Sequence, residues 1–105
     1  MAKQHFFVRL IPPRTTFVQD MSNEERALMG QHIVYTRDYF ERGKVLLYGP
    51  VLAAGGPFGM AALEVENEAE ARGILDNDPS VKAGLNKYEL SPMRLGGARS
   101  SALVA

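Results

Sequence analysis

Four short stretches of the chain are rich in hydrophobic residues, and along two others hydrophobic residues recur at helical spacing. The short hydrophobic stretches predict strands at residues 5–11, 45–48, 58–65 and 85–93. The helical spacing predicts helices at residues 22–42 and 68–75, followed by a short helical turn at 79–83, and we expect residues 14–21 to form a loop. With right-handed crossovers, this order predicts an α+β, ferredoxin-like βαββαβ fold: an antiparallel four-stranded sheet with both helices on one face.

The first predicted helix has a signal at each end. Ser22 and Glu25 match a capping box, in which the serine hydroxyl accepts from the Glu25 backbone N–H and the glutamate carboxylate accepts from the Ser22 backbone N–H. Gly43 follows the last turn, where a glycine in the left-handed region often ends a helix. These signals bound the helix at both ends.

One face of this helix carries a histidine among apolar side chains. Its row consists of Leu28, His32, Tyr35 and Tyr39, and the row beside it of Met29, Ile33 and Phe40. This spacing turns the first row toward the sheet. Because imidazole titrates near pH ~6.5, an inward-facing His32 is either a candidate acid or base, or a core histidine bonded to a backbone carbonyl.

A carboxylate lies where it can meet this histidine. Asp78 follows the second predicted helix, and Pro79 disfavours helical geometry at the residue before it. The loop lies on the same side of the sheet as the first helix, so Asp78 can accept a hydrogen bond from an imidazole N–H. Such a bond fixes the tautomer and makes the other ring nitrogen a better base. His32 and Asp78 are therefore the candidate catalytic residues.

Composition narrows the class of protein. We expect one domain at residues 1–95 and a tail at 96–105 that is either flexible or in contact with a partner subunit. Twelve basic and twelve acidic residues balance without a basic stripe, so no nucleic-acid partner is expected. The lack of cysteine, together with no apparent signal or membrane-spanning segment, favours a cytoplasmic protein. No metal-ligand spacing is visible, and we expect neither a metal nor an organic cofactor.

The first strand predicts how the protein assembles. Phe6, Val8 and Leu10 point to one side of it, and Phe7 and Ile11 point to the other. Two helices cover only one face of a four-stranded sheet, so the apolar residues of the other face need a different cover. A homodimer in which two sheets face each other is the simplest arrangement that provides it.

Several motifs resemble one known family. They are His32 with Tyr35, Gly43, Gly49-Pro50, Asp78-Pro79 and the stretch Val81-Lys82-Ala83-Gly84-Leu85. With them, residues 5–93 resemble the YCII-like family of the dimeric α+β-barrel group. The resemblance implies a dimer, a His–Asp dyad at His32 and Asp78, and turnover of small, sometimes chlorinated, ring compounds. The chain departs from the family in its longer loop at residues 12–20 and in its tail after residue 93.

The remaining candidates concern substrate binding. They are Tyr35, Arg9, Tyr48, Gly49 and Pro50. The two tyrosines either donate to a substrate oxygen or only pack, and Arg9 either binds an anion or forms a salt bridge at the surface or in an interface. We therefore expect an enzyme that uses general acid–base chemistry on a small cyclic or aromatic compound, with elimination of chloride or isomerisation as its reaction. The alternative is a small-molecule-binding accessory or stress-related module without chemistry.

Overall fold

The computed structural model describes residues 2–99 of the chain. Its elements are β1 (Gln4–Ile11), α1 (Phe17–Asp20), α2 (Asn23–Glu41), β2 (Val45–Val51), β3 (Phe58–Val65), α3 (Glu68–Asp76), α4 (Pro79–Lys82) and β4 (Lys87–Met93). The predicted tail lies partly outside the described residues. Its role, the domain boundary at residue 95 and the cytoplasmic location stay predictions.

The four strands form one sheet in the order β2-β3-β1-β4, and all three neighbouring pairs are antiparallel. Strands β2 and β3 pair as the expected hairpin. This confirms the α+β, ferredoxin-like prediction. None of the helices within residues 2–99 combines the length and apolar character needed to cross a membrane.

The capping signals of α2 hold as predicted. The Ser22 hydroxyl accepts from the Glu25 backbone N–H at 3.1 Å, and the Glu25 carboxylate accepts from the Ser22 N–H at 2.8 Å. Gly43 follows the helix with φ of 81°. These contacts fix the two ends of α2.

Three differences from the predicted elements exceed one residue at an element end. The expected loop at 14–21 contains the one-turn helix α1, because Phe17 is buried beneath it. Strand β2 continues through Pro50 to Val51, since an edge strand tolerates a residue that lacks a backbone N–H. Strand β4 begins two residues later than expected, because the N–H groups of Leu85 and Asn86 donate instead to the Ser80 carbonyl and close the α4 turn.

The core lies between the sheet and α3. Its buried members are Phe6, Val8, Val45, Leu63, Val65, Ala71, Ile74 and Leu75. No residue of α2 is fully buried, although Tyr35, Tyr39 and Phe40 pack partly against this core. Ile33, in the row beside that of His32, is 56% exposed. Helix α2 therefore lies over the sheet but packs against it only in part.

Within the described residues, 2–99, no helix covers the other face of the sheet. Phe7 and Arg9 of β1 point to this open face, and their partners across β3 are Ala62 and Met60. Leu47 of β2 pairs with Ala62 on the same face and is 52% exposed. Phe7 and Met60 are only half-buried. The centre of the open face is thus apolar and incompletely covered within one subunit.

Candidate active site

A cavity of about 290 Å³ lies between α2 and the sheet. Its walls are mostly apolar and include Val8, Leu10 and Phe17. Val18 and Ile33 also line it and are each more than half exposed, so they mark its mouth. An apolar cavity of roughly 150 Å³ is enough to hold benzene, so this one has room for a single substituted ring.

The two candidate catalytic residues meet in the cavity wall. The Nδ1 atom of His32 lies 2.6 Å from Oδ2 of Asp78, and both residues line the cavity. The His32 side chain is 19% exposed and that of Asp78 is 5% exposed. His32 is thus bonded to a carboxylate rather than to the backbone carbonyl of the alternative interpretation.

Asp78 is held in place by the helix that follows it. It is the N-cap of α4, and its Oδ1 atom accepts from both the backbone N–H and the hydroxyl of Ser80, each at 2.8 Å. Burial acts to raise the pKa of Asp78, but the hydrogen bond and charge of His32 and the two bonds from Ser80 outweigh it. The pKa of Asp78 therefore lies below its ordinary value, and the group is a carboxylate at neutral pH.

This arrangement defines what the imidazole can do. Because Oδ2 of the Asp78 carboxylate can only accept, the proton of the neutral ring lies on Nδ1 of His32. Its Nε2 atom then keeps a lone pair and can take a proton from another molecule. A carboxylate that holds the ring in this tautomer also stabilises the imidazolium that forms. The pair can therefore act as a general base toward a ligand in the cavity.

The two candidate tyrosines line the cavity in different states. The Tyr35 hydroxyl donates to the backbone carbonyl of Ile74 at 2.6 Å, and burial together with Tyr39 raises the pKa of its phenol. Tyr48 packs edge-on against Phe40, with ring centroids 5.5 Å apart. Tyr35 is thus bonded within the protein and Tyr48 packs against a neighbouring ring, and a role of either in substrate binding stays a prediction.

The remaining candidates are divided between the two faces of the sheet. Gly49 and Pro50 line the cavity. Arg9 does not, because it points to the open face, where its guanidinium lies 4.4 Å from the ring centroid of Phe58. Among residues 2–99, no three histidine, cysteine or carboxylate side chains are grouped closely enough to hold a metal ion.

Two polar residues, one that supports Asp78 and one that lines the cavity, were not predicted from the sequence. Ser80 is fully buried beneath Asp78, and the order Asp-Pro-Ser, typical of a capped turn, was a signal that could have identified it. Asn86 is 3% exposed and lines the cavity. Nothing in its spacing along the chain marked it.

The sheet topology and the long helix over one of its faces make this a small α+β domain of the ferredoxin-like class. The sequence profile of the YCII-related domain matches residues 5–94. The chain therefore belongs to the YCII-related domain family.

A comparison with curated proteins finds no match for this chain. Among solved structures, it is similar to 5-chloro-2-hydroxyhydroquinone dehydrochlorinase (TftG) from Burkholderia phenoliruptrix, in complex with 2,5-dihydroxybenzoquinone. The TM-score is 0.64 and the sequence identity 22%, over 87% of this chain and 95% of that one. At this identity the similarity establishes a shared fold.

Proposed function

We propose that this protein is a metal- and cofactor-independent enzyme that acts on a small cyclic or aromatic compound with a ring hydroxyl. The observation that carries the proposal is the hydrogen bond between His32 and a doubly anchored Asp78 in the wall of a cavity of single-ring size. His32 acts as the general base and Asp78 orients it. Positioned acid–base catalysis of this kind contributes ~10²–10⁴-fold to a rate.

The proposed reaction is the elimination of chloride. Nε2 of His32 takes the proton of a ring hydroxyl and returns it to the ring carbon that bears chlorine, which gives a keto tautomer. Loss of a second ring-hydroxyl proton then expels chloride with its bonding pair and leaves a quinone. The substrate loses one proton and one chloride ion, so no oxidant or reductant is needed. The dehydrochlorinase of similar fold supports this reaction class. Isomerisation begins with the same proton transfer and returns the proton to another atom.

The other candidate residues that line the cavity determine its shape. Tyr35, Tyr48, Gly49 and Pro50 form part of the wall against which the ring packs. Tyr35 keeps its bond to the Ile74 carbonyl and contributes its ring face. Arg9 is left out of the proposed site of its own subunit, since it points to the open face.

We propose further that two copies of the chain pair through their open faces. The half-buried Phe7 and Met60 and the exposed Leu47 give this face an apolar centre. A two-fold contact between two such faces is self-complementary and closed. A charge at Leu47 should dissociate the pair, whereas Leu52, which is 82% exposed and outside the sheet, offers a matched control.

Light scattering at micromolar concentration tests the dimer. We expect the mass of two chains for the wild type and for Leu52→Glu, and a folded monomer for Leu47→Glu. A wild-type protein that is folded and has the mass of one 11.6 kDa chain contradicts the proposal.

The reaction is tested by separating turnover from binding. The protein is incubated in oxygen-free buffer with 5-chloro-2-hydroxyhydroquinone and related chlorinated, hydroxylated rings, and chloride and ring products are measured together. We expect one chloride ion per molecule of substrate consumed. Rings that bind without release of chloride and without isomerisation identify the protein instead as a non-catalytic binding module.

A further inference from the structure

Asn86 is a buried amide in a mostly apolar wall. It lies between α4 and β4, is 3% exposed and lines the same cavity as His32 and Asp78. Its backbone N–H donates to the Ser80 carbonyl at 3.0 Å, so the turn that positions Asp78 also positions Asn86. The residue is therefore rigidly placed beside the histidine–aspartate pair.

The side chain of Asn86 has a weak partner. Its Nδ2 atom donates to the Met29 sulfur at 3.3 Å, which is the one hydrogen bond that its side chain makes with residues 2–99. A thioether is a poor acceptor, and a buried amide without a good partner costs stability. Backbone bonds from Leu85 and Asn86 to Ser80 hold the turn independently of this amide.

Met29 is suited to give way to a ligand. Its side chain has three rotatable bonds and adapts easily to its surroundings. It lies on α2 one turn before His32 and lines the cavity, so the amide that it covers faces the same end of the cavity as the imidazole. If a ring oxygen displaced the sulfur, Asn86 would exchange a weak hydrogen bond for a normal one.

We propose that Asn86 is a ligand-binding residue of this site, and that its amide bonds a ring hydroxyl or carbonyl oxygen of the bound molecule. This deepens the function proposed above and rests on it for the class of ligand. It also gives the site a means of selection, because a buried polar group that would be left without a partner discriminates against rings that lack the oxygen. The ligand is then oriented by Asn86 while His32 takes its proton.

Two ring probes of nearly equal shape test this assignment. Hydroquinone carries hydroxyl groups where p-xylene carries methyl groups, and binding of each is followed by NMR titration. The variant is Asn86→Leu, which keeps the number and branching of the side-chain heavy atoms and removes the amide. The control is Asn77→Leu, in which the lost side chain is exposed and donates to the Gly73 carbonyl outside the cavity.

We expect Asn86→Leu to weaken hydroquinone binding roughly 3- to 10-fold, the effect of one neutral hydrogen bond, and to bind p-xylene as well as the wild type or better. Asn77→Leu should bind both probes as the wild type does. A wild-type protein that binds no hydroquinone, or an Asn86→Leu variant that weakens both probes equally or neither, overturns the assignment. Chloride release by the wild type together with unchanged hydroquinone binding by Asn86→Leu would refute this inference alone.

Discussion

The chain has two histidines, and each is paired with a carboxylate, but the two pairs differ in their surroundings. His32 binds Asp78 through Nδ1 at 2.6 Å, and the aspartate side chain is 5% exposed. His5 binds Glu64 through Nε2 at 2.9 Å on the open face, where the glutamate side chain is 35% exposed. The same two chemical groups thus occur once in a cavity wall and once on a half-exposed strand face.

The difference shows why a histidine–carboxylate bond alone does not define a site. Glu64 lies at the edge of the apolar open face. A partly exposed ion pair at such a position contributes little to the free energy of unfolding, and its side chains can change conformation when another surface covers them. Asp78 is fixed by two further bonds from Ser80 and cannot follow a moving ring. Only His32 therefore has both a fixed orientation and a neighbouring cavity. Substitutions in the His5–Glu64 pair therefore serve as matched controls for substitutions in the His32–Asp78 pair.

The largest expected effect comes from Asp78→Asn. An amide at this position can present its N–H to Nδ1 of His32 and favour the wrong tautomer, so we expect the rate of chloride release to fall ~10²–10⁴-fold. Glu64→Gln removes the matching charge on the open face and should leave the rate within about 2-fold of the wild type. If the two variants had equal rates, the contrast between the two pairs would have no functional meaning.

The two faces of β1 should differ in what they stabilise. Phe6 is 3% exposed in the core, so Phe6→Ala should lower the free energy of unfolding by ~3–5 kcal/mol. Phe7 is half-buried on the open face, so Phe7→Ala should lower the free energy of unfolding by only roughly 1–2 kcal/mol. The same substitution should raise the concentration at which the proposed dimer dissociates. Urea unfolding and dilution light scattering measure the two effects. The opposite ranking would reverse our assignment of the faces.

The buried pair should also appear in the pH dependence of stability. The pKa of Asp78 is lower in the folded protein than its ordinary value of 3.8, so the unfolded chain binds the proton more readily. The stabilisation from Asp78 is therefore complete above that value and is lost as pH falls through the lower, folded pKa. At neutral pH the unfolding free energy of Asp78→Asn should be about 1–3 kcal/mol below that of the wild type. That gap should narrow in acid, and a gap that is constant from pH 7 to about pH 2 would contradict it.

The smallest effect is expected at the rim of the cavity, where Arg14 joins α1 to α2. Its guanidinium donates to both carboxylate oxygens of Glu25 and to the carboxylate oxygen Oδ1 of Asp20. The bonds from Arg14, the larger contribution, and from the Ser22 backbone N–H lower the pKa of Glu25 to about 2. Arg14→Gln should lower the midpoint of thermal unfolding by at most a few degrees, because these groups are partly exposed. Arg72→Gln, which breaks an exposed pair with Glu68 within α3, should change it less. Equal effects would mean that the Arg14 network does not anchor α1.

The main helices and strands, together with the positions of His32 and Asp78, follow from local signals in the sequence. The capping box and Gly43 bound α2, and the spacing of Leu28, Tyr35 and Tyr39 turns His32 inward. Pro79 similarly places Asp78 at the start of a turn. In each case the signal lies within a few residues of the feature that it predicts.

What the sequence did not reveal depends on residues distant in the chain. Pro50 stays in β2 because that strand is at the edge of the sheet, which only the pairing order establishes. The contact between Asn86 and Met29 joins residues 57 positions apart, and no local pattern encodes it. Ile33 is exposed at the mouth of the cavity, and helical spacing alone does not show that α2 leaves a cavity open there.

The central claim is that His32, and not His5, is the base of the site. The most direct test measures chloride release from 5-chloro-2-hydroxyhydroquinone by His32→Ala and His5→Ala in parallel, with folding of both variants checked by circular dichroism. We predict that His32→Ala loses ~10²–10⁴-fold of the wild-type rate and that His5→Ala keeps it. A folded His32→Ala variant that releases chloride as fast as His5→Ala would contradict the account.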